Sequence, residues 1–148
     1  MNRKILLSVL FMIISMVINA QDSNSSTFYR NNLLGKKWTM SKNDNGQYYA
    51  FTLVFENDSV TATITMDSKT TTIRYAYYLS DYFPVSFDET QVGNTISGNW
   101  LLLNRYDVIN GNTKRDGAEM KIFSLTDEEF SFGKSPKYPM ILKAKPLD

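Results

Sequence analysis

From residue 48 onward, apolar and polar side chains alternate with a period of two along much of the chain. This period is typical of β-strands with one buried and one exposed face. It predicts strands over residues 48–55, 59–66, 72–79, 130–133 and 140–145, after a first strand that begins near Trp38. No window carries a sustained helical repeat, and a single helical turn is predicted over residues 27–34.

Asn, Asp and Gly residues separate these runs and favour tight turns. They lie at residues 43–46, 57–58, 67–68, 110–111 and 116–117. Short turns make consecutive strands antiparallel neighbours. The pattern therefore predicts an all-β fold, an up-and-down meander barrel of about eight strands that is closed or nearly closed. A β-sandwich is the alternative, which the short turns disfavour because Greek-key sandwiches need longer crossings.

Two segments interrupt the alternation. Residues 80–98 contain Pro84, Gly93 and Gly98, and we interpret them as a bent strand over residues 83–87 followed by a loop. Residues 104–117 hold a polar cluster and are predicted to form a protruding hairpin.

The N-terminus has the three parts of a secretory signal peptide. Arg3 and Lys4 precede an apolar run over residues 5–18, and Ala20 offers a small residue for cleavage. The run is shorter than the roughly 20 apolar residues that span a bilayer, which disfavours the alternative of an uncleaved anchor. We expect a signal peptide over residues 1–20, a flexible leader over 21–27 and one β-barrel domain over 28–148, secreted or periplasmic.

Composition narrows the function classes. The chain has no cysteine and no histidine, which excludes disulfides, lipid attachment at the cleavage site, and Ser-His-Asp or Cys-His catalysis. An exported domain without disulfides favours a bacterial envelope. The formal net charge is +1. This near-neutral balance argues against a basic face that binds nucleic acid, and it gives no reason to expect attraction to an anionic membrane surface. The carboxylates lie at predicted turns, where Asp bonds the backbone. We therefore expect no enzyme, no metal and no cofactor.

Three short motifs carry a family resemblance. Leu34-Gly35-Lys36-Lys37-Trp38 resembles the Gly-x-Trp opening of lipocalins, with one extra residue between Gly and Trp. An aromatic strand follows over residues 51–55, and a Leu-Thr-Asp-x-x-Phe hairpin over residues 125–130. The combination is similar to short lipocalin-like domains of secreted bacterial proteins. The resemblance implies a lipocalin-like (calycin-like) barrel with Lys143 or Lys145 in place of the C-terminal Arg that lipocalins lay over their Trp.

An eight-stranded barrel has room inside for side chains or for one small ligand. The apolar parity of the strands gives the candidate ligand-binding residues Trp38, Tyr49, Phe51, Leu53, Tyr75, Tyr77 and Phe130, of which Trp38 would plug one end. The first hypothesis is non-catalytic binding of a small apolar or aromatic ligand. The alternative is an envelope protein-interaction module with a filled barrel, using Tyr78, Tyr82 and Phe83 as exposed aromatics. A void on the order of several hundred Å³ would favour the ligand, and a filled barrel would favour the surface.

Overall fold

A computed structural model describes residues 26–109 and 112–148, with side chains described outside residues 106–115. Two short 3-10 helices cover Arg30–Asn32 and Glu89–Gln91. The strands of this part of the chain are β1 (Phe28–Tyr29), β2 (Lys36–Asp44), β3 (Gln47–Phe55), β4 (Ser59–Met66), β5 (Lys69–Ser80), β6 (Ser97–Gly98), β7 (Trp100–Ile109), β8 (Asn112–Leu125), β9 (Glu129–Gly133) and β10 (Met140–Pro146).

Eight of these strands form a closed antiparallel barrel in the order β10-β2-β3-β4-β5-β7-β8-β9. The predicted meander is confirmed, and β4 begins and ends at the predicted residues. The barrel closes because β10 pairs with β2, with Ala144 opposite Trp38. Tight turns join the strands at the predicted residues 43–46, 57–58 and 67–68, whereas the turn predicted at residues 110–111 lies outside the described residues. Asn45 and Asp67 adopt positive φ angles of 52° and 53°, a conformation that Asn and Asp tolerate better than most residues.

The 3-10 helix at Arg30–Asn32 lies within the predicted helical turn and caps one end of the barrel, called here the closed end. Leu33 is buried, and its carbonyl accepts a hydrogen bond from Trp38 Nε1 at 2.9 Å. Arg30 Nη1 donates to the carbonyl oxygens of Asn57 at 3.2 Å and Gly93 at 2.8 Å. One guanidinium thus fastens the N-terminal segment to two separate loops.

The β5–β7 loop, residues 81–99, differs from its prediction. Residues 83–87 form no strand. Pro84 has no N–H for a ladder, and the neighbouring rings pack onto the outer barrel wall: Phe83 lies 5.0 Å from Trp100 and Phe87 lies 5.0 Å from Tyr78, between ring centroids. The end of the loop forms β6, which pairs with β1.

This folding back also corrects the prediction of an exposed Tyr78. Tyr78 points outward from β5, opposite in parity to Tyr77, but the loop covers it and leaves it 4% exposed. Its hydroxyl accepts a hydrogen bond from the Asp88 amide at 3.2 Å. Leu102, which lies opposite Tyr78 on β7, is buried on the same outer face.

The predicted hairpin over residues 104–117 is confirmed as the end of β7 and the start of β8, which pair as far as Ile109 and Asn112. The predicted turn at Asp116-Gly117 is wrong, because both residues lie inside β8. A Cβ at Gly117 would lie 2.4 Å from the Leu103 carbonyl oxygen, so glycine here allows a close approach of β7. The predicted signal peptide and residues 21–25 of the leader lie outside the described residues.

Candidate functional site

The closed half of the barrel is filled by a ring cluster of Trp38, Phe55, Tyr77, Phe130 and Phe132. Trp38 and Phe55 each meet Phe130 edge-on, at centroid distances of 5.6 and 6.0 Å, and Phe132 stacks on Phe130 at 4.4 Å. Phe55 also meets Tyr77 edge-on at 5.1 Å. Edge-to-face and offset packing at these distances is favourable. A ligand could enter this half only by displacing the rings.

The phenol of Tyr77 is neutral and hydrogen-bonded inside the cluster. Its hydroxyl donates to the Glu56 carbonyl oxygen at 2.6 Å. Burial raises the pKa of Tyr77 well above its ordinary value, and Asp58 raises it further, whereas Arg30 opposes the shift. Burial dominates because a phenolate away from water loses its hydration. This tyrosine supports the core and offers no proton for chemistry near neutral pH.

At the other end, called here the open end, an apolar cavity remains inside the barrel, which we call the cup. Its volume is about 50 Å³, against about 30 Å³ for one water molecule in the liquid. The side chains that line it come from most of the barrel strands and from the β9–β10 connection: Phe51, Leu53, Ala62, Ile64, Ile73, Tyr75, Leu103, Asp116, Ala118, Met120, Phe132, Lys134, Tyr138 and Met140. Among the residues whose side chains are described, the ring cluster fills the closed half of the barrel, and the cup is a small space at the open end.

An ion pair between two side chains that point into the barrel lies beside the cup. Arg105 on β7 is opposite Asp116 on β8, and Arg105 Nε lies 3.0 Å from Asp116 Oδ2. The two side chains are 24% and 12% exposed. The Arg105 guanidinium carbon also lies 5.6 Å from the Tyr75 ring centroid, within cation–π range. This ion pair therefore joins β7 and β8 beside the cup.

The predicted site residues divide by height in the barrel. Phe51, Leu53 and Tyr75 line the cup, whereas Trp38, Tyr77 and Phe130 belong to the ring cluster. Tyr49 lines neither space; its hydroxyl donates to Gln47 Oε1 at 2.7 Å near the open end. Their role as ligand-binding residues stays a prediction. Strand parity predicts whether a side chain points into or out of the barrel, but it does not predict how far along the barrel axis the side chain lies.

A larger space lies outside the barrel, beneath the β5–β7 loop, and we call it the loop crevice. Its volume is about 540 Å³. It is lined by β5 and the loop, through residues that include Tyr78, Ser80, Asp81, Tyr82, Val85, Asp88, Glu89 and Thr95. Among the described residues that line it, three are carboxylates and none is Lys or Arg. Sequence reasoning missed this space, because the only signal was the irregularity around Pro84.

The loop that forms the crevice also exposes apolar side chains. Tyr82 is 73% exposed, Phe83 is 59% exposed, and Val85 is fully exposed. The loop is nevertheless held in place: Ser80 Oγ donates to the Tyr82 carbonyl oxygen at 2.7 Å, and the Asp88 carboxylate accepts from Thr90 Oγ1 at 2.7 Å and from Thr90 N at 3.0 Å. The bonds from Thr90 hold the pKa of Asp88 below its usual range.

Comparison with protein-family models, with curated proteins and with solved structures finds no match to this chain. Within residues 26–109 and 112–148, no helix is long and apolar enough to cross a lipid bilayer. Nor do the described residues bring together three or more acidic side chains in a group that could hold a metal ion. The cup and the loop crevice are the candidate sites considered for this chain.

Proposed function

We propose that this chain is a non-catalytic protein-interaction module, whose binding surface is the β5–β7 loop on the outside of a filled barrel. One contrast carries the proposal: the cavity inside the barrel is about 50 Å³, whereas Tyr82, Phe83 and Val85 stand exposed within four positions of one loop. A ligand-holding barrel would need a void several times larger, on the order of 300 Å³ or more.

The exposed side chains have the character of an interface. Tyr82, Phe83 and Val85 lie within four positions of the loop, and aromatic residues are enriched in interfaces. The contacts of Phe83 with Trp100 and of Phe87 with Tyr78 hold the loop against the barrel. A partner therefore meets a loop that is already ordered, which lowers the entropic cost of binding.

The proposal includes a lipocalin-like identity and export after cleavage at Ala20, to the periplasm or outside the cell. The eight-stranded meander, the short helix before β2 and Trp38 at the closed end support the identity. The resemblance expects a cation from the C-terminal strand beside Trp38. Instead, Lys36 Nζ lies 5.2 Å from the Trp38 ring centroid, and Lys143 forms an ion pair with Glu129. The proposed partner is an envelope protein, with no nucleic acid and no membrane anchor.

A second candidate function is binding of a small apolar or aromatic ligand in the cup. The observation that favours it is the apolar lining of this cavity by Phe51, Ile64 and Ile73. The small volume limits such a ligand to a single small group held at the open end.

Site-specific photocrosslinking tests the interaction surface. Val85 and, as a control, Ile141 are each replaced by p-benzoylphenylalanine in cells that produce the protein; both positions are exposed and apolar, and Ile141 lies on β10. We expect one discrete adduct from position 85 and none from position 141. The adduct partner, identified by mass spectrometry and purified, should then bind the unmodified chain. Equal labelling from both positions, or no adduct at 85, contradicts the proposal.

A further inference from the structure

We infer that the barrel accepts an extended peptide segment of a partner protein as a further strand, along the edge of β5 formed by residues 69–74. The inference goes beyond the proposed function and does not depend on it, because no residue of this edge belongs to the β5–β7 loop.

The barrel wall is open over part of the boundary between β5 and β7. The rungs that join these strands run from Ser80 opposite Trp100 to Ala76 opposite Asn104. Beyond the last rung, β5 extends to Lys69 and β7 extends to residue 109. There β5 pairs with β4, and β7 pairs with β8. Within residues 26–109 and 112–148, no backbone ladder joins the two strands along this stretch, which we call the wall gap.

The backbone of β5 presents hydrogen-bonding groups to the wall gap. Tyr77 N donates to the Asp58 carbonyl oxygen at 3.2 Å, on the side of β4. Backbone groups point to alternate sides along an antiparallel strand, so the N–H and C=O groups of Thr70, Thr72 and Arg74 face the gap. All three residues are exposed. Such a row of backbone groups at a strand edge is a template for another strand.

The side chains of the same three residues leave this edge uncovered. Arg74 Nη2 lies 2.6 Å from Glu56 Oε2 and donates to Ser59 Oγ at 2.7 Å. The hydroxyls of Thr70 and Thr72 lie 3.1 and 3.4 Å from hydroxyls of threonines on β4. These contacts draw the side chains toward β4 and away from the gap. Edge strands are commonly protected by charge or proline, and residues 70–73 contain neither.

The cup supplies a pocket for side chains of the added strand. Ile73 and Tyr75, on β5 beside the gap, line the cup. Successive side chains of a strand point to opposite faces, so every second side chain of the peptide would point toward the cup. Its volume of about 50 Å³ suits small apolar side chains. In strand addition the backbone bonds give affinity and such pockets give specificity. The partner segment therefore alternates small apolar residues with polar ones.

Amide hydrogen exchange on the purified full chain tests whether the edge is open. The amides of Thr72 and Arg74 should exchange about tenfold or more faster, relative to their intrinsic rates, than those of Thr71 and Ile73, which face β4. Equally slow exchange at all four amides would overturn the inference. Protection of Thr72 that increases with protein concentration would also overturn it, because the edge would then be occupied by a second copy of this chain.

A capped peptide tests the strand addition itself. The probe is acetyl-Lys-Thr-Val-Thr-Ala-Thr-Val-Lys-amide, titrated into ¹⁵N-labelled protein. At saturation we expect about tenfold or more slower exchange at Thr72 and Arg74, with amide shifts centred on residues 69–76. An absence of binding, or shifts centred on the β5–β7 loop, would overturn the inference.

Two methylated forms of the probe separate backbone pairing from side-chain contact. One carries N-methyl groups on its second, fourth and sixth residues, and the other on its third, fifth and seventh. In a strand that adds to β5, one set of N–H groups faces the protein and the other faces away. The two affinities should therefore differ by about fivefold or more, the scale of lost hydrogen bonds. Equal affinities would contradict strand addition.

A matched pair of variants tests the edge from the side of the protein. Thr72→Pro removes an N–H that faces the gap and spares the ladder with β4, as proline does on an edge strand. Thr72→Val keeps this N–H, and both variants lose the hydroxyl contact with Thr63. The proline variant should bind the unmethylated probe about fivefold more weakly, and the valine variant should match the unmodified chain. The ¹⁵N spectrum checks that the proline variant folds, and equal affinities of the two folded variants would overturn the inference.

Discussion

The indole of Trp38 on β2 meets the ring of Phe130 on β9 edge-on, with centroids 5.6 Å apart and ring planes at 62°. The two strands are not neighbours: β10 lies between them, pairing Leu142 with Phe130 and Ala144 with Trp38. The contact therefore depends on closure of the barrel by its last strand, and it fills the space where a ligand would otherwise lie.

Truncating two inward phenylalanines at different heights in the barrel, Phe130 and Phe51, should have unequal costs. Phe130→Ala removes a fully buried ring from the cluster and should lower the free energy of unfolding by about 3–5 kcal/mol. Phe51→Ala removes a half-buried ring beside the existing cavity and should cost about 1–2 kcal/mol. A Thr63→Ser change on the outward parity should stay within about 0.5 kcal/mol. Urea melts measure all three, and equal losses at Phe130 and Phe51 would contradict the division between cluster and cup.

The buried phenol of Tyr77 should make stability fall at alkaline pH. Its folded pKa lies above the unfolded value of about 10, so below pH 10 both states keep the proton. As pH rises past 10 the unfolded state loses its proton first, and stability falls by about 1.4 kcal/mol per pH unit. Tyr77→Phe should cost about 1 kcal/mol at neutral pH and remove this part of the slope. Parallel slopes for the two proteins between pH 10 and 11 would show that Tyr77 is not the cause.

Replacing Gly98 with a larger residue should destabilise the fold, because the backbone passes close to β5 at this position. A Cβ there would lie 2.4 Å from Ser80 N and 2.6 Å from Ser80 C, both backbone atoms. Gly98→Ala should therefore destabilise the chain by about 1–3 kcal/mol or more. Gly46→Asn is the control, because nothing lies within 4 Å of its added Cβ and asparagine tolerates the positive φ; we expect a cost of about 0.5 kcal/mol. Thermal melts compare them, and a neutral Gly98→Ala would refute the close approach.

Removing the Arg30 guanidinium should loosen the β5–β7 loop. Arg30→Met loses both carbonyl contacts and should cost about 1–3 kcal/mol, with faster hydrogen exchange at the Asn94 and Thr95 amides, which bond to the Gln91 carbonyl. Arg74→Met, which breaks an exposed ion pair with Glu56, should cost less than about 1 kcal/mol. Unchanged loop exchange in Arg30→Met would show that the loop is held without this side chain.

Periodicity predicted β3, β4, β5, β9 and β10 of the barrel wall, whereas β7 and β8 were predicted only in part, as a hairpin over residues 104–117. The alternation around Leu53 and Ala62 marks β3 and β4 because each residue's parity agrees with that of its cross-strand partner. The same parity places Trp38, Tyr77 and Phe130 inside, where the structure has them. Asp116 shows the limit of turn signals: Asp-Gly favours a hairpin turn, yet here a ten-pair β7–β8 ladder takes both residues into a strand.

The exposure of Tyr82 and Phe83 was predicted and is confirmed, but the cup and the loop crevice could not be predicted, because they depend on features without a local pattern. Tyr78 has the parity of an exposed residue, and only the return of a distant part of the loop buries it. The division between Phe51 in the cup and Phe130 in the cluster depends on how far along the barrel each lies. The loop crevice arises from the packing of the loop around Pro84. Secondary-structure propensities do not describe such packing.

The most direct test of the account is the affinity of the partner identified through position 85 for three purified proteins, measured by calorimetry. These are the unmodified chain, Tyr82→Ser/Val85→Ser on the loop and Phe51→Ala in the cup. Loss of central apolar contacts commonly costs about 2 kcal/mol or more, so we predict at least tenfold weaker binding for the loop variant and unchanged binding for the cup variant. Retained affinity in the loop variant, together with loss in the cup variant, would contradict the claim that this barrel is filled and acts through its outer loop.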